Sequence, residues 1–108
     1  MIAAGERWPD GSLRPALEDA YGAGAIIAEL QKRGAGPLSP EAAAARSSFT
    51  GTPEVADTVA DCSSGRELIQ QGFADDVAIA IELDATMVVP ILTDGAFTAV
   101  PGRGPVDA

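Results

Sequence analysis

Among the residues able to bind or transform a small molecule, the most pointed group is Ser64-Gly65-Arg66, preceded by Cys62 and Ser63. A hydroxyl N-cap followed by Gly and Arg sets free helix N–H groups and a guanidinium around one spot, which suits a phosphate or a sulfonate. The alternative is a plainly capped helix whose Arg66 pairs with a nearby acid such as Asp61. Arg7 and Arg14 lie around the loop from Gly5 to Gly11, placed for a second anion contact or as ordinary surface charge. Cys62 and Arg66 are separated by three residues, whereas the cradle of a thiol phosphatase separates its Cys and Arg by five, so Cys62 reads as a small buried hydrophobe. Trp8, between Arg7 and Pro9, reads as a packing anchor or as a cover over a substrate.

The charge balance narrows the choice of ligand. Sixteen acidic residues against seven basic ones leave a net charge of −9 with no His, which argues against broad electrostatic binding of nucleic acid or an anionic membrane. A single Cys cannot close an internal disulfide, and without His any metal here is oxygen-bound. No stretch reaches the roughly 20 apolar residues that span a bilayer, and the N-terminus has neither a basic region nor an apolar signal core, so a cytoplasmic location is expected. The length of 108 residues allows one globular unit. Its apolar content, dominated by Ala with 5% aromatic residues, makes a thin core.

These residues must be positioned by elements that the sequence punctuates clearly. Met1-Ile2-Ala3-Ala4 reads as a strand end running into the loop from Gly5 to Gly11. Apolar residues recur at helical spacing from Leu13 to Leu30, which predicts a helix from Pro15 to Lys32 with Pro15 in its first turn and Gly34 as its C-terminal stop. Gly22-Ala23-Gly24-Ala25 inside that helix implies a close approach by another element. Ser39-Pro40-Glu41 and Thr52-Pro53-Glu54 repeat one helix-start signal, predicting helices from Pro40 to Phe49 and from Pro53 to Asp61. Ser64-Gly65-Arg66-Glu67 fits a capping box opening a helix that Gly72 closes, and helical spacing resumes from Ala74 to Leu83. Met87 to Leu92 and Ala96 to Val100, around Thr93-Asp94-Gly95, read as a terminal β-hairpin. The tail from Pro101 to Ala108 is expected to be disordered. Two short strands cannot cover five helices, so self-association or a covering partner is expected.

The strings Ala4-Gly5-Glu6-Arg7, Asp10 to Asp19, Gly22 to Ile26, Cys62 to Leu68, Gly72 to Val77 and Val89-Pro90 resemble, in order and spacing, the C-terminal half of the 2-phosphosulfolactate phosphatase family. The resemblance runs from Ile2 to Phe97. It implies an α/β fold, here seen as the C-terminal part of a layered α/β/α mixed sheet with an α+β order of helices followed by a hairpin. Residues 1–100 then form part of one phosphatase-like domain. It also implies Mg²⁺-dependent hydrolysis of the phosphate ester of 2-phospho-3-sulfolactate, a step towards coenzyme M. Family members are about twice this length. Their Asp-Val-Leu-Arg-Ala-Thr-like and Thr-Asn-Gly-like segments have no counterpart here, so the chain is expected to be a fragment needing its missing half, with a non-catalytic remnant or a subunit of a split enzyme as the other reading.

Within that resemblance the site residues divide by chemistry. Mg²⁺ takes one or two carboxylates and keeps several waters, which makes Glu6 and Glu18 the metal candidates and Glu18 and Asp19 the catalytic ones. Glu18 and Asp19 are adjacent on a helix and splay by about 100 degrees, so they are not expected to bind one ion together. They could equally be solvated acids near a helix N-terminus. Arg7, Arg14, Ser64, Gly65 and Arg66 are the substrate-binding candidates for a small anionic phosphoester.

Overall fold

The computed structural model describes residues 5–101, so the expected strand end at Met1–Ala4 and the tail beyond Pro101 lie outside the described residues. The order is β1 (Glu6–Arg7), β2 (Leu13–Arg14), α1 (Leu17–Lys32), α2 (Pro40–Thr50), α3 (Val55–Asp61), α4 (Ser63–Gln70), α5 (Ala74–Ala80), β3 (Val88–Thr93) and β4 (Ala96–Pro101). This is an α+β chain of five helices that ends in a hairpin. Its strands form two separate two-stranded antiparallel sheets, β1-β2 and β3-β4.

The helix stops follow the glycines. Gly34 sits at φ +86° just after α1, its amide donating to the Gln31 carbonyl while the Ala35 amide reaches the Leu30 carbonyl. Gly72, at φ +92°, ends α4 with the same pair of bonds, to Ile69 and from Phe73 to Leu68. Both are Schellman stops, which need a left-handed residue that Gly supplies without a Cβ clash. Ser39 caps α2 as expected, its hydroxyl accepting from the Ala42 amide at 3.2 Å.

Several starts differ from expectation, each because a tertiary partner displaces a local one. Helix α1 begins at Leu17 after an extended Ala16, so Pro15 lies outside it and joins the helix to β2. Helix α3 starts at Val55 with Glu54 as N-cap. The Thr52 hydroxyl that should have capped it donates to the Ser48 carbonyl at 2.7 Å and accepts from the Tyr21 hydroxyl at 2.9 Å. Cys62 is at once the last cap of α3 and the first cap of α4, and no side chain caps α4. Ser64 therefore stands one position inside the helix, and the capping box with Glu67 does not form. Helix α5 stops at Ala80, short of Leu83, with Ile81 as its C-cap. The loop from Gly5 to Gly11 carries strand β1, which pairs with β2 to form a small hairpin that hydrophobic periodicity did not announce.

Two glycines set the helix crossings. A Cβ on Gly24 would strike the Ala45 carbonyl oxygen and lie 2.8 Å from Phe49 Cβ, and a Cβ on Gly65 would strike the carbonyls of Val59 and Ala60. The small-residue stretch in α1 is thus where α2 crosses. The core that results is thin: among the described residues Tyr21, Ala28 and Val77 are the buried apolar ones, and no side chain is fully enclosed.

Candidate functional site

Strands β1 and β2 are short, and their loop makes them possible. Trp8 to Gly11 closes a turn in which the Gly11 amide donates to the Trp8 carbonyl at 2.8 Å, and the Trp8 amide donates to the Ser12 carbonyl at 2.9 Å. Asp10 accepts from both the amide and the hydroxyl of Ser12, at 2.8 and 2.6 Å. Those bonds hold the Asp10 carboxyl below its ordinary pKa. Arg7 does not point outwards for a ligand; its guanidinium donates to the Gly11 carbonyl at 2.7 Å and braces the turn.

The product of this hairpin is the placement of Arg14. Register sets it opposite Glu6, and its side chain is 11% exposed. One face lies over the Trp8 ring, 5.0 Å from the centroid, an orientation in which a cation is attracted by the ring. Nη1 donates to Glu67 Oε2 at 2.9 Å, across 53 residues of chain. That bond, reinforced by the fields of Glu67, Glu6 and Glu18, raises the guanidinium above its ordinary pKa. Glu67 is thus the carboxylate bonded to Arg14, while Glu6 and Glu18 add negative charge that acts on it at longer range.

Glu18 links this cluster to the start of α4. Its Oε2 lies 3.8 Å from the Cys62 thiol, and a cleft of about 300 Å³ is lined by Pro15, Leu17, Glu18, Asp61, Ser63 and Ser64, with Cys62. Cys62 is half-buried, with its sulfur turned to a carboxylate and not into an apolar core. Asp19 faces the other way and accepts from the Gly5 amide at 3.1 Å, tying β1 to α1. The two neighbouring acids splay apart, as helix geometry requires.

Of the expected substrate ligands, Arg14 and Ser64 flank Glu18 in this region. Gly65 is buried against α3, so its contribution is the close crossing that places the α4 start. Arg66 turns back to Asp61, its Nε donating to Oδ1 at 2.8 Å and to the Asp61 carbonyl at 3.0 Å, as the capped-helix alternative had it. Trp8 is 47% exposed and packs on Arg14, not in the core. Sequence reasoning missed Glu67 as the partner of Arg14, because a contact across that separation leaves no local periodicity.

The carboxylates suit a hard cation in kind. Among the described residues no three acidic or thiol side chains are gathered closely enough to form a ready-made metal cage. No helix among the described residues is long and apolar enough to cross a membrane.

Comparison with curated proteins and with solved structures gives no significant match. Residues 2–95 match the model of a family described as 2-phosphosulpholactate phosphatase. That match takes in Glu6, Arg14, Glu18, Glu67 and the start of α4, and it spans most of the 108 residues; the chain belongs to the 2-phosphosulpholactate phosphatase family.

Proposed function

We propose that the chain contributes the site of a Mg²⁺-dependent phosphatase that hydrolyses the phosphate ester of 2-phospho-3-sulfolactate to 3-sulfolactate and phosphate. The observation that carries this reading is the cleft at the start of α4, where Glu18 stands with Ser63, Ser64 and Pro15, the residue that follows the Arg14 fixed by Glu67 and Trp8. An excess of carboxylate next to a fixed guanidinium and free helix amides can take a divalent cation and a phosphoryl group together.

Glu6 and Glu18 are the residues that would hold Mg²⁺, which when bound supplies charge neutralisation for the phosphoryl oxygens. Arg14, fixed by Glu67 and Trp8, is placed to contact one phosphoryl or sulfonate oxygen. Ser63 and Ser64 line the cleft, where their amides, unpaired within α4 as first-turn donors, would orient a second. Glu18 stands at the same cleft, suited to orient the attacking water and to accept its proton. As the water oxygen bonds to phosphorus the ester P–O bond breaks, and the leaving oxygen takes back the proton that Glu18 accepted from the water, becoming the hydroxyl of sulfolactate. Asp19 acts through the backbone by holding the Gly5 end of β1. Arg7 and Arg66, engaged with Gly11 and Asp61, contribute through those contacts. A cytoplasmic location and a role towards coenzyme M go with this reading.

The thin core favours a second feature, a chain that works with its apolar faces covered by a partner or by association. The test is titration of Mg²⁺, and then of phosphosulfolactate, into the chain by calorimetry. Mg²⁺ binding that weakens roughly tenfold or more in Glu18→Gln, with phosphosulfolactate binding that Arg14→Ala reduces, is expected. Absence of Mg²⁺ binding, or phosphosulfolactate binding indifferent to Mg²⁺, would overturn the proposal.

A further inference from the structure

Beside the cleft at the start of α4 lies a second cavity, which the proposed reaction leaves unused. Two glycines shape it. The approach at Gly65 brings α4 against the Val59 and Ala60 carbonyls of α3, and the left-handed Gly72 turns the chain so that α5 folds back on α4. The space left between α1, α3, α4 and α5 measures about 250 Å³. Val59 of α3, Leu68 of α4, and Val77 and Ala80 of α5 supply its apolar lining. Val77, 5% exposed, is the most deeply buried of them.

Adjacency, size and charge select its occupant. The cavity adjoins the cleft, since Glu18, Cys62 and Ser64 line both, so a molecule whose phosphoryl group lies in the cleft can place the group that it carries in the cavity. The size suits one ring: a cavity of about 150 Å³ lined by aliphatic side chains takes up benzene, and this one is larger. The charge is wrong for an anion. Glu18 and Asp76 are the carboxylates of the lining, and among the described residues no basic side chain joins them. A sulfonate or a carboxylate placed here would lose its water and meet like charge. The skeleton of sulfolactate bears both groups and has little apolar surface to set against Val59, Leu68 and Val77.

We propose that this cavity is a subsite for a second class of ligand, a phosphate monoester whose alcohol part is uncharged, apolar and about the size of a phenyl ring. The proposal rests on the reading of the α4 cleft as the phosphoryl site and widens it beyond phosphosulfolactate. In such an ester the phosphoryl group stays with Glu18, Ser63 and Ser64, and the ring lies against Leu68 and Val77. The half-buried Cys62 borders both spaces, a small polarisable side chain that suits a boundary between a polar and an apolar group. A ring gains by leaving water for this lining, a gain that a methyl ester is too small to match. Apolar lining with a few polar groups at one end is the general build of a small-molecule site.

Calorimetric titration of the whole chain in Mg²⁺ with phenyl phosphate, methyl phosphate and phosphosulfolactate tests it. Phenyl phosphate is expected to bind roughly tenfold or more tightly than methyl phosphate. That ratio is expected to fall towards unity in Ala80→Phe, which fills the cavity from the exposed end of α5. It is expected to fall also in Leu68→Gln, which keeps the volume of a half-exposed side chain and sets an amide against the ring. Without any variant, the methyl NMR signals of Val59, Leu68 and Val77 are expected to shift with phenyl phosphate and not with methyl phosphate. Binding of phosphosulfolactate, with phenyl phosphate no tighter than methyl phosphate, overturns the subsite and leaves the phosphoryl reading standing. Binding of phenyl phosphate alone supports the subsite and removes phosphosulfolactate as the ligand. A ratio that neither variant changes, or silent methyl signals, overturns the proposal, because the ring would then lie elsewhere. Absence of binding by all three esters overturns the phosphoryl reading and the subsite with it.

Discussion

The α1–α2 pair and the β3–β4 hairpin are each joined by a short connection, yet they stand at opposite ends of self-sufficiency. Between α1 and α2 the backbones approach until only Gly fits at position 24, and Tyr21, 8% exposed, bonds to Thr52 at the far end of α2. Every residue of β3, and of β4 from Ala96 to Val100, is exposed. The helix pair satisfies its backbone within each helix and needs only one shared face, whereas a two-stranded ribbon leaves the outward half of its backbone groups and both of its faces without strand partners. In one chain, then, helical parts settle locally while strands await a larger sheet.

The sharpest way to break this contrast is at Gly24. Gly24→Val places a side chain against the Ala45 backbone, which cannot yield as a flexible side chain could, and it is expected to cost about 3 kcal/mol or more. In so thin a core, urea denaturation followed by circular dichroism should show loss of most of the cooperative transition. A midpoint unchanged from wild type would mean that the α1–α2 crossing is not what stabilises this region. Tyr21→Phe, which deletes one hydrogen bond and leaves Thr52 bonded to Ser48, is expected to cost about 1 kcal/mol in the same measurement.

The smallest effect concerns the site loop, which stands between the two regimes in size and in order. Asp10 has its pKa lowered by the Ser12 hydroxyl and amide, so its contribution to stability is complete above the ordinary value of 3.8. It is lost as the pH falls through the lower folded-state value. Asp10→Asn should therefore remove a small stabilisation at pH 7 and none at the acid end of that titration. Thermal melts of both proteins across pH 2.5 to 7, a range of about that width, check it: curves that converge on acidification are expected, and a constant difference would show that the Asp10 charge is not involved.

The positions of chain reversals were written in single residues. Asp94-Gly95 needs two left-handed conformations in succession, Gly34 and Gly72 need one each, and Ser39 finds its amide three residues on, so these were legible without a fold. The small-residue stretch at Gly24 also announced a close crossing, though not which helix would make it. Tertiary structure alone decided where a polar side chain with two available partners would go. Thr52 and Glu67 both carried local helix-start signals and both were taken by distant groups, Tyr21 and Arg14. Cys62, serving two helices at once, shifted Ser64 out of its capping position. The site followed the same division. Glu6, Arg14 and Glu18 were identifiable by type, but that Arg14 is held by Glu67 and Trp8 and that Glu18 stands at the start of α4, with Arg7 and Arg66 bound elsewhere, depends on a hairpin of two residues per strand and on a crossing at Gly65. Local bonds are set by neighbours in sequence, while a charge cluster is set by which segments the packed backbone brings within a few ångströms.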